Sequence, residues 1–245
     1  MSTAPQLDVH FLGRVSYRAG LALQRESVAE IRGGTRTNSL LLLEHDPVIT
    51  MGSAARREHL LVSAEDLASR GIEVAATDRG GAATYHGPGQ LVGYPLIDLA
   101  PLGRDVGGYL RTLEEALIQT VARFGVCAWR DPGKTGVWCD RGKIAAIGLR
   151  ISRWIAHHGF AINVDPDLAN FQCLVPCAIP GAAVATLEQF VSPAPTIAEV
   201  AAEVARAVAS AFGFDIRDEP RGLPNFGALA PGAGTLSGSR AGVTA

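Results

Sequence analysis

The sequence predicts an α/β (α+β) protein in which a mixed β-sheet is flanked by helices. Residues 39–44 form an apolar run with a polar residue at each end, which is typical of a strand buried on both faces. Residues 106–124 place apolar side chains at steps of three and four, which indicates an amphipathic helix. Residues 136–151 are interrupted by Asp140-Arg141-Gly142, which predicts a β-hairpin. Because hairpins and helix-linked strands occur in the same chain, we expect a mixed sheet.

The first half of the chain is predicted to alternate between strands and helices. In order, we expect a strand over 9–15, a helix over 19–31, the strand 39–44, a short extended piece over 48–52, a short helix and a strand over 72–76. The first helix ends at Gly33-Gly34, because glycine readily adopts the left-handed conformation that closes a helix. The short helix follows the capping pattern Ser63-Ala64-Glu65-Asp66 and ends near Gly71.

The second half continues in the same way. The predicted elements are a strand over 91–99, the helix 106–124 capped by Asp105, a strand over 126–130, the hairpin 136–151, a strand over 155–164 and a last helix. That helix opens with the capping box Thr196-Ile197-Ala198-Glu199 and closes at Gly213. Residues 218–245 are rich in glycine, proline and alanine, so we expect a disordered tail after one domain that spans residues 1–217.

Composition and charge exclude several classes of function. The net charge is −2 and the isoelectric point is about 6.3, so no basic excess points to nucleic acid. The apolar runs are too short to span a membrane, and the N-terminal residues lack the features of a secretory signal. We therefore expect a cytoplasmic protein whose four cysteines are reduced thiols, with no metal site.

The stretch 78–95 is the most unusual part of the chain. It places Thr84, Tyr85, His86 and Gln90 among glycines and then enters an apolar strand. Glycines serve where backbone must turn sharply or approach a ligand closely, so we interpret the stretch as the wall of a ligand pocket. The alternative is a glycine-rich turn that feeds a strand. No nucleotide-binding fingerprint can be written onto these residues.

Two residues are candidates for chemistry. Lys134 and Lys143 are the only lysines beside twenty arginines, and lysine, unlike arginine, can act as a base. Lys143 stands at the start of a predicted strand, whereas Lys134 has the context of a solvated loop residue. Cys177 lies between two prolines, on a rigid turn that would hold a nucleophile at a defined angle. A neighbouring lysine can activate such a thiol.

Other histidines and cysteines compete for these roles. His86, His157 and His158 are alternative bases, and adjacent residues of a strand should send the last two to opposite faces. We expect His10, His45 and His59 to be ordinary surface or turn residues. Among the cysteines, Cys127 is expected in the core, and Cys139 precedes the hairpin turn. The cysteine spacings do not support a structural zinc site.

Four motifs, in order, resemble those of the lipoyl(octanoyl) transferases of protein lipoylation. They are Arg79-Gly80-Gly81 with Thr84-Tyr85-His86-Gly87-Pro88-Gly89-Gln90-Leu91-Val92-Gly93-Tyr94-Pro95, Gly136-Val137-Trp138 with Lys143-Ile144-Ala145-Ala146-Ile147-Gly148, His158-Gly159-Phe160-Ala161-Ile162-Asn163-Val164, and Pro176-Cys177. The resemblance runs over residues 39–179. It implies a single domain with a fold like that of the biotin and lipoate protein ligases.

The resemblance also implies a reaction. An octanoyl group passes from octanoyl-acyl carrier protein to a lysine of a lipoyl domain, as found in 2-oxoacid dehydrogenase E2 subunits and the glycine cleavage H protein. Cys177 matches the residue that forms the acyl-thioester, and Lys143 matches the lysine that activates it. The acyl pocket is implied by three matching segments: Arg79, Gly80, Gly81, Ala82, Ala83, Thr84, Tyr85 and His86; Ala146, Ile147 and Gly148; Gly159, Phe160 and Ala161. No cofactor is implied, because exchange between thioesters needs no ATP.

Two residues depart from the family pattern. Ala178 follows Cys177 where glycine is usual, and Ala156 stands where threonine is usual. Neither change removes a catalytic group. Three other functions remain open: an ATP-dependent lipoate or biotin ligase, a non-catalytic protein that binds lipoyl domains or acyl carrier protein, and a cysteine hydrolase.

Overall fold

The computed structural model of the protein describes residues 4–175 and 183–217. Within these ranges the strands are β1 (Gln6–Val15), β2 (Asn38–His45), β3 (Val48–Met51), β4 (Glu73–Ala76), β5 (Ala83–His86), β6 (Gln90–Asp98), β7 (Trp129–Asp131), β8 (Lys134–Cys139), β9 (Gly142–Ser152), β10 (Ile155–Asn163) and β11 (Asp215–Arg217). The α-helices are α1 (Tyr17–Gly33), α2 (Ala64–Ser69), α3 (Val106–Ala122) and α4 (Ile197–Phe212). Short 3₁₀ turns span Arg57–His59, Leu168–Cys173 and Leu187–Gln189.

The described residues form two sheets. The larger has the order β11-β1-β2-β6-β10-β9-β8-β7, and the smaller has the order β4-β3-β5. In the larger sheet β1 pairs in parallel with β2 and β11. All the other neighbouring pairs of that sheet, β2-β6, β6-β10, β10-β9, β9-β8 and β8-β7, are antiparallel. The prediction of a mixed sheet flanked by helices is confirmed.

Strand β2 explains why both faces of the large sheet are covered. Leu40 and Leu42 belong to a core shared with α3 and α4, whereas Leu41 and Leu43 belong to a core shared with α1. Side chains alternate across a strand, so an unbroken run of leucines requires apolar partners on both sides. The sequence prediction of a doubly buried strand at this position is confirmed.

Helices α3 and α4 begin at the caps predicted from the sequence, Asp105 and Thr196, whereas α1 begins at Tyr17, two residues before the predicted start, because Ser16 caps it. Ser16, Asp105 and Thr196 each accept a hydrogen bond from a backbone N–H three residues further on, at α1, α3 and α4. Thr196 and Glu199 form the predicted capping box. Both Gly34 and Gly213 adopt left-handed backbone angles that close their helices, as glycine does at little cost.

Two parts of the chain differ from the sequence prediction. Residues 83–86, interpreted as part of a loop, form β5 and pair antiparallel with β3, a partner remote in sequence. The strand predicted over 126–130 begins only at Trp129, so Val126 is buried without belonging to a strand. The predicted tail, residues 218–245, lies outside the described residues. None of the described helices combines the length and apolar character that crossing a bilayer requires.

Candidate active site

A cavity of about 320 Å³ lies between β5 with the segment before it and strands β6, β9 and β10 of the large sheet. That volume is within the range of small-molecule sites. Its walls contain Tyr17, Arg79, Gly81, Ala82, Ala83, Thr84, His86, Val92, Tyr94, Gly133, Lys134, Thr135, Lys143, Ala146, Ile147, Gly148, His158, Gly159, Phe160 and Ala161. Eleven of these twenty residues are glycines or carry apolar side chains, nine carry a polar group, and most of the lining surface is apolar.

The segment 79–82 forms one wall of the cavity, and hydrogen bonds from the buried Arg79 side chain fix its backbone in place. The buried guanidinium donates to the hydroxyl and carbonyl of Thr50, at 2.9 and 2.7 Å from Nη2, and to the carbonyl of Ala82 at 2.8 Å. The backbone is fastened too, because Ser53 N–H donates to the Arg79 carbonyl at 2.9 Å. A planar fork of donors suits several acceptors at once, which an ammonium group could not satisfy in the same geometry.

Glycines let the backbone of the cavity floor come close to its neighbours. Gly148 of β9 pairs with Gly159 of β10. A Cβ atom at Gly159 would lie 2.2 Å from the carbonyl oxygen of Gly93, and one at Gly148 would lie 3.0 Å from that of Gly80. Any side chain at Gly159 would therefore push strands β6 and β10 apart.

His86 has a defined tautomer, set by a chain of hydrogen bonds. Asn163 Nδ2 donates to the carbonyl of Ala185 at 3.1 Å, so its Oδ1 accepts from Gln90 Nε2 at 2.8 Å. Gln90 Oε1 therefore accepts from His86 Nδ1 at 2.7 Å, which leaves Nε2 of His86 as the lone-pair nitrogen. Burial, reinforced by the neighbouring His45 and Arg79, lowers the pKa of His86 to about 3. His86 is thus neutral at physiological pH.

The same chain of contacts continues to the backbone of Lys143. Ala185 N–H donates to the Lys143 carbonyl at 3.0 Å, and Lys143 N–H donates to the Ala183 carbonyl at 2.9 Å. The Lys143 side chain is 9% exposed, and its ammonium lies 4.7 Å from the centre of the Trp138 ring. Its Cδ would stand 3.6 Å from a Cβ placed on Gly136. The amine therefore has a defined place at one end of the cavity.

The expectation of a surface or turn residue is wrong for two histidines, because His10 is buried in β1 and His45 is fully buried. Of these, His45 contacts a residue of the cavity. Its Nδ1 donates to the carbonyl of Val15 at 2.8 Å, and Nε2 accepts from the Tyr94 hydroxyl at 2.6 Å. Burial lowers the pKa of His45 to about 4. Gly20 makes room for this ring, since a Cβ there would lie 2.8 Å from the His45 Cε1 atom. His45 supports Tyr94, which lines the cavity.

The two neutral histidines predict a specific loss of stability in acid. His45 and His86 have folded-state pKa values of about 4 and about 3, below the ordinary value of 6.5. The unfolded chain therefore takes up protons first, and stability falls as the pH drops from 6.5 towards those values. Each histidine should cost ~2 kcal/mol of unfolding free energy at pH 5. Urea unfolding at pH 7 and pH 5 measures this, and H86Q should reduce the pH dependence. Equal stability at both pH values would contradict the assignment.

The sequence-predicted site residues fall into three groups. Lys143, Arg79, Gly81, Ala82, Ala83, Thr84, His86, Ala146, Ile147, Gly148, Gly159, Phe160 and Ala161 all line the cavity. Gly80 and Tyr85 do not line the cavity. The Gly80 N–H donates to the carbonyl of Leu149. The Tyr85 ring packs in a separate core, with its centre 5.3 Å from that of the Phe171 ring. Cys177 lies outside the described residues. Its described neighbour Val175 is fastened by its N–H to the carbonyl of His59 at 2.9 Å.

Sequence reasoning missed several cavity residues. Tyr17 comes from α1, and nothing local distinguishes it from other buried aromatic residues. Tyr94, in β6, was not named as a site residue, although it lies within the stretch 78–95 that was interpreted as a pocket wall. Lys134, expected in a solvated loop, belongs to β8 and lines the cavity, with its ammonium 2.6 Å from the Asp131 carboxylate and 4.9 Å from the Trp138 ring centre. The only feature of the sequence that could have marked Lys134 as a site residue is that the chain has just two lysines. Cys127, expected in the core, is exposed because β7 begins only at Trp129.

His157 and His158 do not point to opposite faces as predicted. Their ring centres are 5.2 Å apart, because His158 has a left-handed φ of 55° that breaks the alternation of the strand. With Asp78 they place three possible metal ligands within 4.8 Å of one another. Asp78 already accepts from His158 Nε2 at 2.8 Å and lies 3.3 Å from Arg150 Nε. The arginine charge disfavours a bound cation.

Several known proteins are similar in sequence to this chain. Residues 16–209 match the family profile described as lipoyl protein ligase A/B catalytic domain. An octanoyltransferase of Chloroflexus aurantiacus is 45% identical over 87% of this chain and 97% of the relative. An octanoyltransferase of Geobacter metallireducens is 46% identical over 83% of this chain and 90% of its own length.

Solved structures share the fold at low sequence identity. A putative lipoate protein ligase from T. acidophilum superimposes with a TM-score of 0.70 at 19% identity, over 87% of this chain and 88% of the other. A lipoate-protein ligase A bound with ATP gives a TM-score of 0.69 at 20% identity, over 89% of each chain. The predicted fold class is confirmed.

Proposed function

Since the chain belongs to the lipoyl protein ligase A/B catalytic domain family and its curated relatives are octanoyltransferases, we propose that it transfers an octanoyl group through a thioester on Cys177. It is an acyltransferase of lipoylation, as the sequence motifs predicted. The donor is octanoyl-acyl carrier protein. The acceptor is a lysine of a lipoyl domain, as in E2 subunits and the H protein.

One observation carries this proposal: a largely apolar cavity runs along β9 with Lys143 at one end. Ala146, Ile147 and Gly148 follow in order along the strand, and Ala161, Phe160 and Gly159 face them from β10. An unbranched acyl chain needs a narrow apolar slot with its reactive carbonyl at the polar end. Lys143 marks that end, and its backbone is bonded to Ala183, six residues after Cys177.

The proposed chemistry has two balanced steps. The Cys177 thiolate attacks the donor thioester, the donor C–S bond breaks, and the donor leaves as a thiol. The neutral acceptor amine then attacks the Cys177 thioester, a C–N bond forms, and the proton lost by nitrogen goes to the cysteine sulfur. In the first step Lys143 accepts the Cys177 thiol proton and returns it to the departing donor sulfur, so the lysine is neutral again. In the second step Lys143 takes the amine proton and passes it to the Cys177 sulfur as the bond between that sulfur and the acyl carbon breaks. One thioester replaces another, so the first step needs no phosphate activation.

The test is the mass of the protein after incubation with octanoyl-acyl carrier protein alone. We expect one octanoyl group, mapped to the peptide that contains Cys177 and discharged when a lipoyl domain is added. An unmodified protein would overturn the proposed intermediate. Pyrophosphate release from ATP and free acid would instead support a ligase, and release of octanoate in the presence of excess lipoyl domain would support a hydrolase.

A further inference from the structure

A second cavity, of about 280 Å³, lies between α1, the residue Asp78 and strands β9 and β10. It is lined by Leu21, Gln24, Arg25, Val28, Arg32, Asp78, Arg150, Ser152 and His157. His158 lines the first cavity, whereas the carboxylate that it contacts, Asp78, lines the second. The His158–Asp78 pair is therefore part of the partition between the two spaces.

Two hydrogen bonds hold His158 in this place. Its Nε2 donates to Asp78 Oδ1 at 2.8 Å, and its backbone N–H donates to Gln24 Oε1 at 2.8 Å. Both partners belong to the second cavity. The side chain is 2% exposed, and its φ of 55° is unusual for a residue with a Cβ. Left-handed backbone in a bulky residue costs free energy, and such strain is concentrated at functional positions.

The order of residues along the strands places this partition opposite Lys143. On β9, Lys143 comes first, then Ala146 to Gly148, then Leu149, which pairs with His158 of β10. Strand β10 pairs regularly with β6 at Ala156 and again from Phe160 onwards. Residues 157–159 interrupt this regular pairing. An acyl chain whose carbonyl lies near Lys143 points its methyl end at His158.

We infer that His158 is the end wall of the acyl site and sets the length of the acyl chain that the enzyme transfers. This inference rests on the proposed function. The ring stops the chain, Asp78 and Gln24 hold the ring in place, and the second cavity is the space that becomes available when the ring is removed. Leu21 and Val28 offer apolar contact there, so a longer chain has a surface to lie against.

The test is His158→Gly, assayed with acyl donors of six, eight, ten and twelve carbons. Glycine accommodates a φ of 55° freely, so the backbone can be kept while the ring is removed. For the wild-type enzyme we expect kcat/KM to fall by about tenfold or more from eight to twelve carbons, since one methylene can be worth that much discrimination. In H158G we expect this ratio to shrink by about tenfold.

Two matched variants distinguish a wall from other roles. D78N keeps the volume and can still accept from His158 Nε2, so the preference for chain length should remain. S152A changes another residue of the second cavity, which pairs with Ile155 rather than with His158, and should also leave the preference unchanged. The ratio between chain lengths comes from a single preparation, so a partly unfolded sample would not alter it.

The ranking of chain lengths in H158G tests whether His158 is the end wall. An unchanged ranking of chain lengths in H158G would overturn the inference, and so would an equal loss at every length, which would mean that the ring serves the chemistry. If wild-type protein transferred no acyl group of any length, the proposed function would fail instead. The two failures are therefore distinguishable.

Discussion

Replacing Cys177 with alanine is expected to lower octanoyl transfer to the uncatalysed background. In the proposed mechanism every acyl group passes through the Cys177 sulfur, so no partial route survives its removal. Loss of a catalytic nucleophile can cost a hydrolase ~10⁶-fold in turnover, and a loss of ~10⁴-fold or more is expected here. The measurement is octanoylation of a lipoyl domain by mass spectrometry, with the acyl-enzyme measured in parallel.

The other cysteines supply matched controls. Cys127 is exposed, so C127A should retain both transfer and stability. Cys173 is buried, with its sulfur 3.6 Å from Arg70 Nη1, so C173A should lose some stability and retain transfer. Substantial turnover by C177A would remove the covalent intermediate from the mechanism. An octanoyl group on Cys127 or Cys173 would reassign the nucleophile.

Lys143→Arg should lower kcat by about 10²- to 10⁴-fold, the usual range for loss of a general base. Arginine keeps the positive charge but does not give up its proton at physiological pH. Lys143 also has little space, since its side chain is buried beside Gly136 and Trp138. The rates of acyl-enzyme formation and of discharge to a lipoyl domain should both fall, because the base is proposed to act in each.

Two comparisons make the Lys143 result interpretable. K134R changes the only other lysine, whose ammonium contacts the same Trp138 ring from a more exposed position, and should cause a much smaller loss. K143M removes the charge as well as the base in a side chain of similar length, and its unfolding free energy shows whether packing has suffered. A near-normal rate for K143R would mean that Lys143 acts through its charge alone.

The local elements of this fold could be predicted from the sequence because their causes lie within a few residues. Asp105 and Thr196 satisfy free N–H groups at the start of α3 and α4, and Gly34 and Gly213 end α1 and α4. The leucine run of β2 required cover on both faces, which α1 on one side and α3 with α4 on the other provide. The glycine-rich stretch indicated a pocket wall for a similar local reason, whereas the segments around Lys143 and Gly159 were assigned to the pocket through the family resemblance.

Positions that depend on distant partners could not be predicted in this way. Strand β5 forms because β3 offers an edge with which it can pair. The two strands are remote in sequence, since Met51 pairs with Ala83 and Val48 pairs with His86. His45 is buried because Gly20 of α1 leaves room for its ring and Tyr94 of β6 donates to it. The residues next to His45 in the sequence do not indicate either contact.

The sequence alone determined which residue types were available for the chemistry and which helices and strands would carry them, because capping, periodicity and glycine placement act over short distances. Only the tertiary structure decided which of these residues share a cavity. It separated Tyr85 from His86, brought His157 and His158 to within 5.2 Å, and placed His158 between two cavities. The reason is physical: burial and hydrogen bonding between remote segments select one backbone conformation at His158 that its own neighbours in sequence do not favour.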